Sequence, residues 1–367
     1  MASGGRRKWT NLLLVNGTLL ILVILWTIPT MGLFISSWRT RLDIQSTGWW
    51  TVFPHRTWET VAILDPKELG LDSTAVMEVE GATGTFEQLR AGVEAPNGKR
   101  IQWVGNRRIG RIEVQDQVWT VNWDFTTDNY RQVLMGKDFE YKNPDGTVEV
   151  IPGDNFVGAI LNSIAVAVPA TVIPILIAAF AAYGFAWMNF TGRRLLFIMV
   201  VAMLVVPLQI ALVPLLRDYS KLQINGTFLA IWLAHTGFGL PLAVYLLFNY
   251  IRTLPREILE SAFIDGASHF TVFVRLILPL SMPALASFAI FQFLWVWNDY
   301  LVALIFLGGN PDTQVLTMRL ANIVGSRGND WHLLTAGAFV TMILPLVVFF
   351  SLQRYFVRGL LAGSVKG

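Results

Sequence analysis

Six apolar stretches, near residues 11–37, 156–187, 195–216, 227–251, 281–307 and 332–357, set the narrowest limits on what this chain can fold into. Each offers the ~20 helical residues needed to cross a hydrocarbon core of roughly 30 Å. A bilayer holds no water to satisfy backbone donors and acceptors, so each stretch is predicted to be a membrane helix. Prolines interrupt them at Pro29, Pro169, Pro174, Pro207, Pro214, Pro241 and Pro345. Kinked, closely packed helices follow, because neighbouring helices must satisfy the freed carbonyls. The composition agrees: 54% of residues are hydrophobic and only 14% charged, outside the range of ordinary water-soluble domains.

The first stretch follows Arg6, Arg7 and Lys8, a pattern shared with export signals. Its apolar run is too long for one and no small-residue cleavage site follows, so a retained anchor is expected. Basic residues then orient the bundle, since Lys and Arg stay on the cytoplasmic side of short loops. With the N-terminus inside, eleven fall on inner segments (Arg6, Arg7, Lys8, Arg193, Arg194, Arg252, Arg256, Arg275, Arg354, Arg358 and Lys366). Four fall on short outer loops: Arg217, Lys221, Arg319 and Arg327. The remaining 13 of 28 lie between Arg39 and Lys142, in a segment long enough to escape the rule. A multi-pass membrane protein with both termini cytoplasmic is expected.

The segment 38–155 reads differently from its surroundings, being polar and mixed in charge. Alternating runs (A-V-M-E-V-E-G, R-I-Q-W-V-G, R-I-E-V-Q-D-Q-V-W-T-V-N-W) are bounded by turn signals at Pro96-Asn97-Gly98 and Pro144-Asp145-Gly146. Period-two alternation between such turns predicts β-hairpins. Phe125 to Leu134 looks helical and amphipathic and would lead back to the membrane. The expected fold class is an all-α membrane protein of six transmembrane helices, with a small external, mostly-β insertion between spans one and two. Its parts are 1–37 (cytoplasmic N-terminus and first helix), 38–155 (insertion) and 156–367 (transmembrane core and cytoplasmic tail). The insertion is either a solvated cap or a platform for a partner.

Several chemistries are excluded or left without support. A formal charge of +3 with no long basic run gives no footprint for nucleic acid. There is no cysteine, hence no disulfide or thiolate metal site. His55, His235, His269 and His332 are scattered and no H-E-x-x-H occurs. A phosphate-binding loop needs G-x-x-x-x-G-K followed by Ser or Thr. The nearest approach, Gly92 to Arg100, has the wrong spacing and lacks the hydroxyl.

The most informative segment lies in 253–280, between spans four and five: L-P-R-E-I-L-E-S-A-F-I-D-G-A-S-H-F-T-V-F-V-R-L-I-L-P-L. Pro255 suits a helix's first turn. Ile258, Leu259, Ala262 and Phe263 then share one stripe, opposite Glu257, Glu260 and Ser261, with Ile264 in the middle of the polar face. Gly266 ends the helix in a left-handed cap, and Ser268 can cap a second helix running to Pro279. An apolar knob among carboxylates suits a groove on another protein. The competing reading, a loop resting in headgroups, would favour a basic polar face.

At these residues the sequence resembles the inner-membrane permeases of ABC importers, whose cytoplasmic loop carries Glu-Ala-Ala, Asp-Gly-Ala and Leu-Pro. Glu260, Ala262, Asp265, Gly266, Ala267, Leu278 and Pro279 match, with Ser261 in place of an alanine. The stretches N-S-I-A-V-A-V-P-A-T-V, A-A-Y-G-F-A-W, V-V-P-L-Q-I-A-L-V-P-L, F-Q-F-L-W-V-W-N-D-Y and Q-R-Y-F-V-R-G-L-L-A-G-S-V-K-G are similar to carbohydrate permeases of the maltose-transporter type, above all α-glucoside permeases. The resemblance implies import of a sugar, an α-glucoside or a di- or oligosaccharide, by alternating access. It also implies a second homologous permease, two ATPase subunits and an external sugar-binding protein as partners, besides the lipid bilayer. ATP and Mg would be held by the ATPase subunits, and this chain would carry no cofactor and no catalytic residue. The coupling set would be Glu257, Glu260, Ser261, Ala262, Ile264, Asp265, Gly266 and Ala267, with Glu260 facing basic groups of the ATPase and Asp265 orienting the corner.

Polar groups within the spans are costly in lipid, so Asn162, Gln209, His235, Gln292, Asn298 and Asp299 should face helix interfaces or a translocation path. Gln292, Trp295, Trp297, Asn298 and Asp299 are the candidate path residues, an aromatic and carboxylate set that could stack on a sugar and accept from hydroxyls. The competing solutes are polyols or glycerol-type compounds. A secondary transporter is the competing class, but it would show internal repeats and membrane ion pairs, and neither is evident.

Overall fold

The computed structural model describes residues 3–136, 139–142, 147–151, 156–327 and 330–362. The turn signal at 144–146, Lys366 and the last five residues of the tail lie outside the described residues. Two compact units divide the chain: Met1–Ile35 with Leu42–Phe125, and Ser36–Arg41 with Thr126–Gly367.

In the first unit, helix α1 (Ser3–Trp38) begins well before the predicted start at residue 11 and contains Pro29 without a break. Only 6% of its most apolar window is buried. After α2 (Arg41–Ser46) come the strands β1 (His55–Leu64), β2 (Met77–Val79) and β3 (Ala82–Gly84). Then follow helix α3 (Phe86–Ala91) and strands β4 (Val93–Glu94), β5 (Arg100–Gly105) and β6 (Gly110–Thr120). The main sheet is antiparallel in the order β1-β6-β5-β4. R-I-Q-W-V-G forms β5 and pairs with the first half of the longer run in β6, from Gly105↔Gly110 to Arg100↔Gln115. A-V-M-E-V-E-G supplies β2, and Pro96-Asn97-Gly98 turns between β4 and β5, where Gly98 has a φ of 82° and donates to the Ala95 carbonyl. Met77, Val79, Phe86, Leu89, Ile101, Trp103 and Ile112 fill the core, with Phe86 edge-on to Trp103 at 5.4 Å. Helix α3 carries a complete capping box of Thr85 and Gln88.

In the second unit, α4 (Asp128–Met135) falls on the predicted amphipathic stretch. The Asn129 amide donates to the carbonyls of Ser37 and Arg39, both at 2.9 Å, and Tyr130 shares a 2.6 Å hydrogen bond with Ser37. Strands β7 (Phe139–Lys142) and β8 (Val148–Ile151) form a hairpin. The helical bundle comprises α5 (Phe156–Trp187), α6 (Arg193–Ala202), α7 (Leu208–Lys221), α8 (Phe228–Ile251), α9 (Arg256–Ile264) and α10 (His269–Val272). It continues, after a π-helical turn over Phe273–Ile277, with α11 (Leu278–Leu280), α12 (Met282–Asn298), α13 (Leu301–Leu307), α14 (Leu316–Arg327) and α15 (Trp331–Ala362). Helices α5 and α8 are closely packed, with Ala178, Ala182 and Ala243 fully buried. Small side chains let backbones approach where apolar burial alone gives no drive in lipid.

Four described helices are long and apolar enough to cross a membrane: Leu12–Trp38, Phe156–Trp187, Phe228–Ile251 and Trp331–Tyr355. Two further crossings arise only if each of two bent pairs counts as one span. The predicted stretch 195–216 breaks at Val206 and Pro207, and its halves meet at 103°. Proline's ring pushes the residue before it out of the helical region, and Val206 is extended, at φ −72° and ψ 116°. The stretch 281–307 is likewise interrupted: α12 stops at Asn298 and α13 starts at Leu301.

Candidate functional site

The segment 253–280 forms a helical elbow. Pro255 sits one residue before the predicted helix, as an extended N-cap, and α9 starts at Arg256. Gly266, with φ at 79°, closes α9 by donating to the Phe263 carbonyl. Few side chains tolerate that left-handed backbone. The Ser268 hydroxyl then accepts from the Thr271 N–H and starts α10. The second arm reaches Leu280, one residue past Pro279, through the π-helical turn, and meets α12 at 71°.

One side of the elbow is anchored. Leu259 is 1% exposed among Ile251, Val272, Phe273 and Ile277. The Tyr183 hydroxyl on α5 hydrogen-bonds His269 Nδ1 at 2.8 Å, Phe180 stacks on Phe273 at 4.3 Å, and Phe263 lies edge-on to His269 at 4.9 Å. The stripe is less covered than its apolar residues imply, because Ile258 and Phe263 stay exposed. The other side is open: Glu257, Glu260, Ser261, Asp265 and Gly266 are exposed, Ala262 and Ala267 half-buried, and Ile264 is 85% exposed. An isoleucine that bare, ringed by carboxylates on a short helix held firmly from behind, is an apolar contact without a partner.

The candidate path residues divide. Trp297 is buried, stacks on Phe293 at 5.6 Å and donates to the Thr341 carbonyl on α15 at 3.0 Å, so it packs the bundle. Gln292 is buried and its amide donates to the Ala170 and His235 carbonyls at 3.2 and 3.4 Å, tying α12 to α5 and α8. Asn298 is exposed and bonds its own helix at Leu294. Asp299 Oδ1 accepts from the Val302 N–H at 3.3 Å, while Oδ2 lies 3.4 Å from His235 Nε2. Trp295 lies edge-on to the His235 ring at 5.1 Å and also lines a cavity of about 670 Å³ with Leu208, Leu215, Tyr219 and Phe238. His235 itself is fully buried. Its closeness to Asp299, 64 positions on in the chain, left no signal in the sequence. Of the other polar groups, Asn162 donates to the carbonyls of Asp312 and Gln314, and Gln209 is exposed on α7.

Residues 170–361, which include the whole elbow and α8 through α15 as far as Leu361, match the family of binding-protein-dependent transport system inner membrane components. The chain belongs to that family. It is 48% identical over 352 residues to the osmoprotective compounds uptake permease protein GgtD of Synechocystis sp., covering 96% of this chain and 91% of that one. It is 47% identical over 384 residues to the alpha-glucoside transport system permease protein AglG of Rhizobium meliloti, covering 96% and 97%. The fold is shared with a chain of a bacterial ABC transporter involved in the import of the acidic polysaccharide alginate, at a TM-score of 0.50 and 18% identity over 65% of this chain and 82% of that one. As a family member with several membrane-crossing helices, it is a multi-pass inner-membrane permease component of an ABC importer.

Proposed function

We propose that this permease component imports a sugar, an α-glucoside or a related di- or oligosaccharide, by alternating access, and that separate ATPase subunits drive it through the elbow. The observation that carries the reading is Ile264, bare on the acidic face of a braced α9, within the part of the chain that matches the family. In this reading α9 enters a groove on the ATPase, and closure of the ATPase pair pulls the elbow and the bundle behind it. The chain itself hydrolyses no ATP and holds no cofactor. Six spans, with both bent pairs counted as crossings, place both termini in the cytoplasm and the 38–155 insertion outside. A second permease and an external binding protein complete the importer.

Purifying the tagged complex from its host, identifying what comes with it, and measuring ATP hydrolysis in lipid with α-glucosides added tests this directly. Stimulation by α-glucosides supports the reading, whereas a complex without an ATPase would end it. The likeness to GgtD, an osmoprotective compounds uptake permease, supports a second solute reading; a polyol or glycerol-type compound is the candidate to add, and the same assay separates the two by which solute stimulates.

Glu260 is exposed on α9, so Glu260→Arg should not disturb folding. It should reduce recovery of the ATPase with the permease, since a reversed charge facing basic groups repels. Normal ATPase recovery and uptake in that variant would remove Glu260 from the interface. Trp295→Ala opens the wall between His235 and the cavity and is expected to lower uptake about tenfold, the value of roughly one aromatic contact, with assembly intact. Unchanged uptake would return Trp295 to packing.

A further inference from the structure

A second cavity, of about 540 Å³, opens where the ends of α5 and α8 meet the starts of α6 and α9. Four arginines line it: Arg193, Arg194, Arg252 and Arg256. No carboxylate is among the lining residues. Arg193 is held by hydrogen bonds to the Met188 carbonyl and Asn189 Oδ1, at 2.9 and 3.2 Å. The side chains of Arg194, Arg252 and Arg256 make no ion pair or hydrogen bond among the described residues. Arg252 and Arg256 instead sit over the rings of Phe248 and Trp187, each 6.0 Å from the centroid.

Four like charges converging on one cleft repel one another unless an anion joins them. One helix start strengthens the demand. Helix α6 begins at the cavity with no side-chain cap and no acidic residue in its first turn, so the positive end of its dipole adds to the arginines, whereas Glu257 in the first turn of α9 offsets that helix's dipole. The topological preference for basic residues near inner helix ends accounts for having arginines here. It does not account for their meeting in a cleft walled by Trp187, Phe197 and Phe248.

We propose that this cleft binds the phosphate of an anionic lipid headgroup. A phosphate offers the oxygens that several guanidinium groups can share, and basic pockets between membrane helices on the cytoplasmic side suit such headgroups. A lipid is favoured over free phosphate because the cleft opens at the ends of membrane helices, and α6 carries exposed Leu195, Ile198 and Met199 for acyl chains. Because Arg256 is the first residue of α9, a bound headgroup braces the elbow at its root. This inference rests on the proposed orientation, with the elbow on the cytoplasmic side.

The test uses the full chain in a non-ionic detergent, mixed with phosphatidylglycerol or phosphatidylcholine, with retained lipid counted by native mass spectrometry. Phosphatidylglycerol should be retained over phosphatidylcholine. Arg194→Gln combined with Arg252→Gln should lower its retention on the order of tenfold. The matching pair of Arg→Lys changes should keep most of it, separating lost charge from lost folding. Equal retention of the two lipids, or a Gln pair that binds like the parent, overturns the proposal. So does inorganic phosphate binding alone with the same dependence on the arginines and no lipid preference, which would make this a free-phosphate site. Loss of a co-purifying ATPase with lipid retention unchanged would make it a protein-docking surface, again against the proposal. The chain has no cysteine, so Thr191→Cys, exposed in the turn between α5 and α6 and outside the cleft lining, reports orientation separately. Labelling from outside by an impermeant maleimide would overturn the orientation without altering the lipid counts.

Discussion

Ile264→Asp is expected to leave the chain inserted and folded while lowering ATP-driven uptake roughly thirtyfold or more. The side chain is 85% exposed, so its replacement removes no packing within this chain. If α9 docks in an ATPase groove, the same change places an unpaired carboxylate in a desolvated contact, a loss of about 2 kcal/mol or more for a central anchor. ATPase co-purification and vesicle uptake should therefore fall together while yield and thermal stability stay put. A variant that keeps its ATPase and transports normally would show that the knob faces water in the assembled transporter.

Gly239→Leu is expected to act on folding instead, lowering the stability of the purified chain by about 2–4 kcal/mol. A Cβ at Gly239 would lie 2.6 Å from both terminal atoms of the Gln292 amide. Gln292 is 1% exposed and its amide donates to the Ala170 carbonyl, which Pro174 cannot serve within α5, so moving it aside leaves that buried carbonyl without a donor. Uptake should fall as well, because Gln292 fixes the turn of α12 that carries Trp295. Thermal unfolding in detergent reads the effect, and an unchanged midpoint would mean that the amide has room to swing away.

The elbow was the most legible part of the sequence because its signals are local. Gly266 sits where the backbone needs a positive φ, Ser268 caps the next helix, and helical periodicity alone places Ile264 among the acids. The bend at Pro207 was not legible. Pro169 and Pro174 stay inside a continuous α5, which is well packed against α8, whereas α6 has no buried residue and α7 only Leu212. Neighbours can satisfy the carbonyls that proline frees in the first case and are lacking in the second. Pro29 and Pro214 nevertheless stay inside the sparsely buried α1 and α7, so neither the proline nor burial within this chain alone marks where a helix breaks.

The path residues teach a different lesson. Trp295 and Trp297 are two positions apart on one helix and therefore point to different sides. Both are expected on the path from sequence, and the structure puts Trp297 into packing and Trp295 beside His235 and the cavity. The His235–Asp299 approach and the arginine cleft depend on which helices pack together. Such meetings have no local pattern. The sheet shows the same limit: β5 and β6 were visible as alternating runs, while the edge strand β1 is exposed at most positions and lacks a clean two-residue rhythm.

Uptake of radiolabelled α-glucoside into sealed proteoliposomes is the most direct measurement, comparing the whole complex, with binding protein and ATP supplied, against this chain alone under an ion gradient. Uptake only in the complex, lost when the ATPase is omitted or ATP is withheld, is the predicted result. Accumulation by the chain alone, driven by the gradient and indifferent to ATP, would contradict the account.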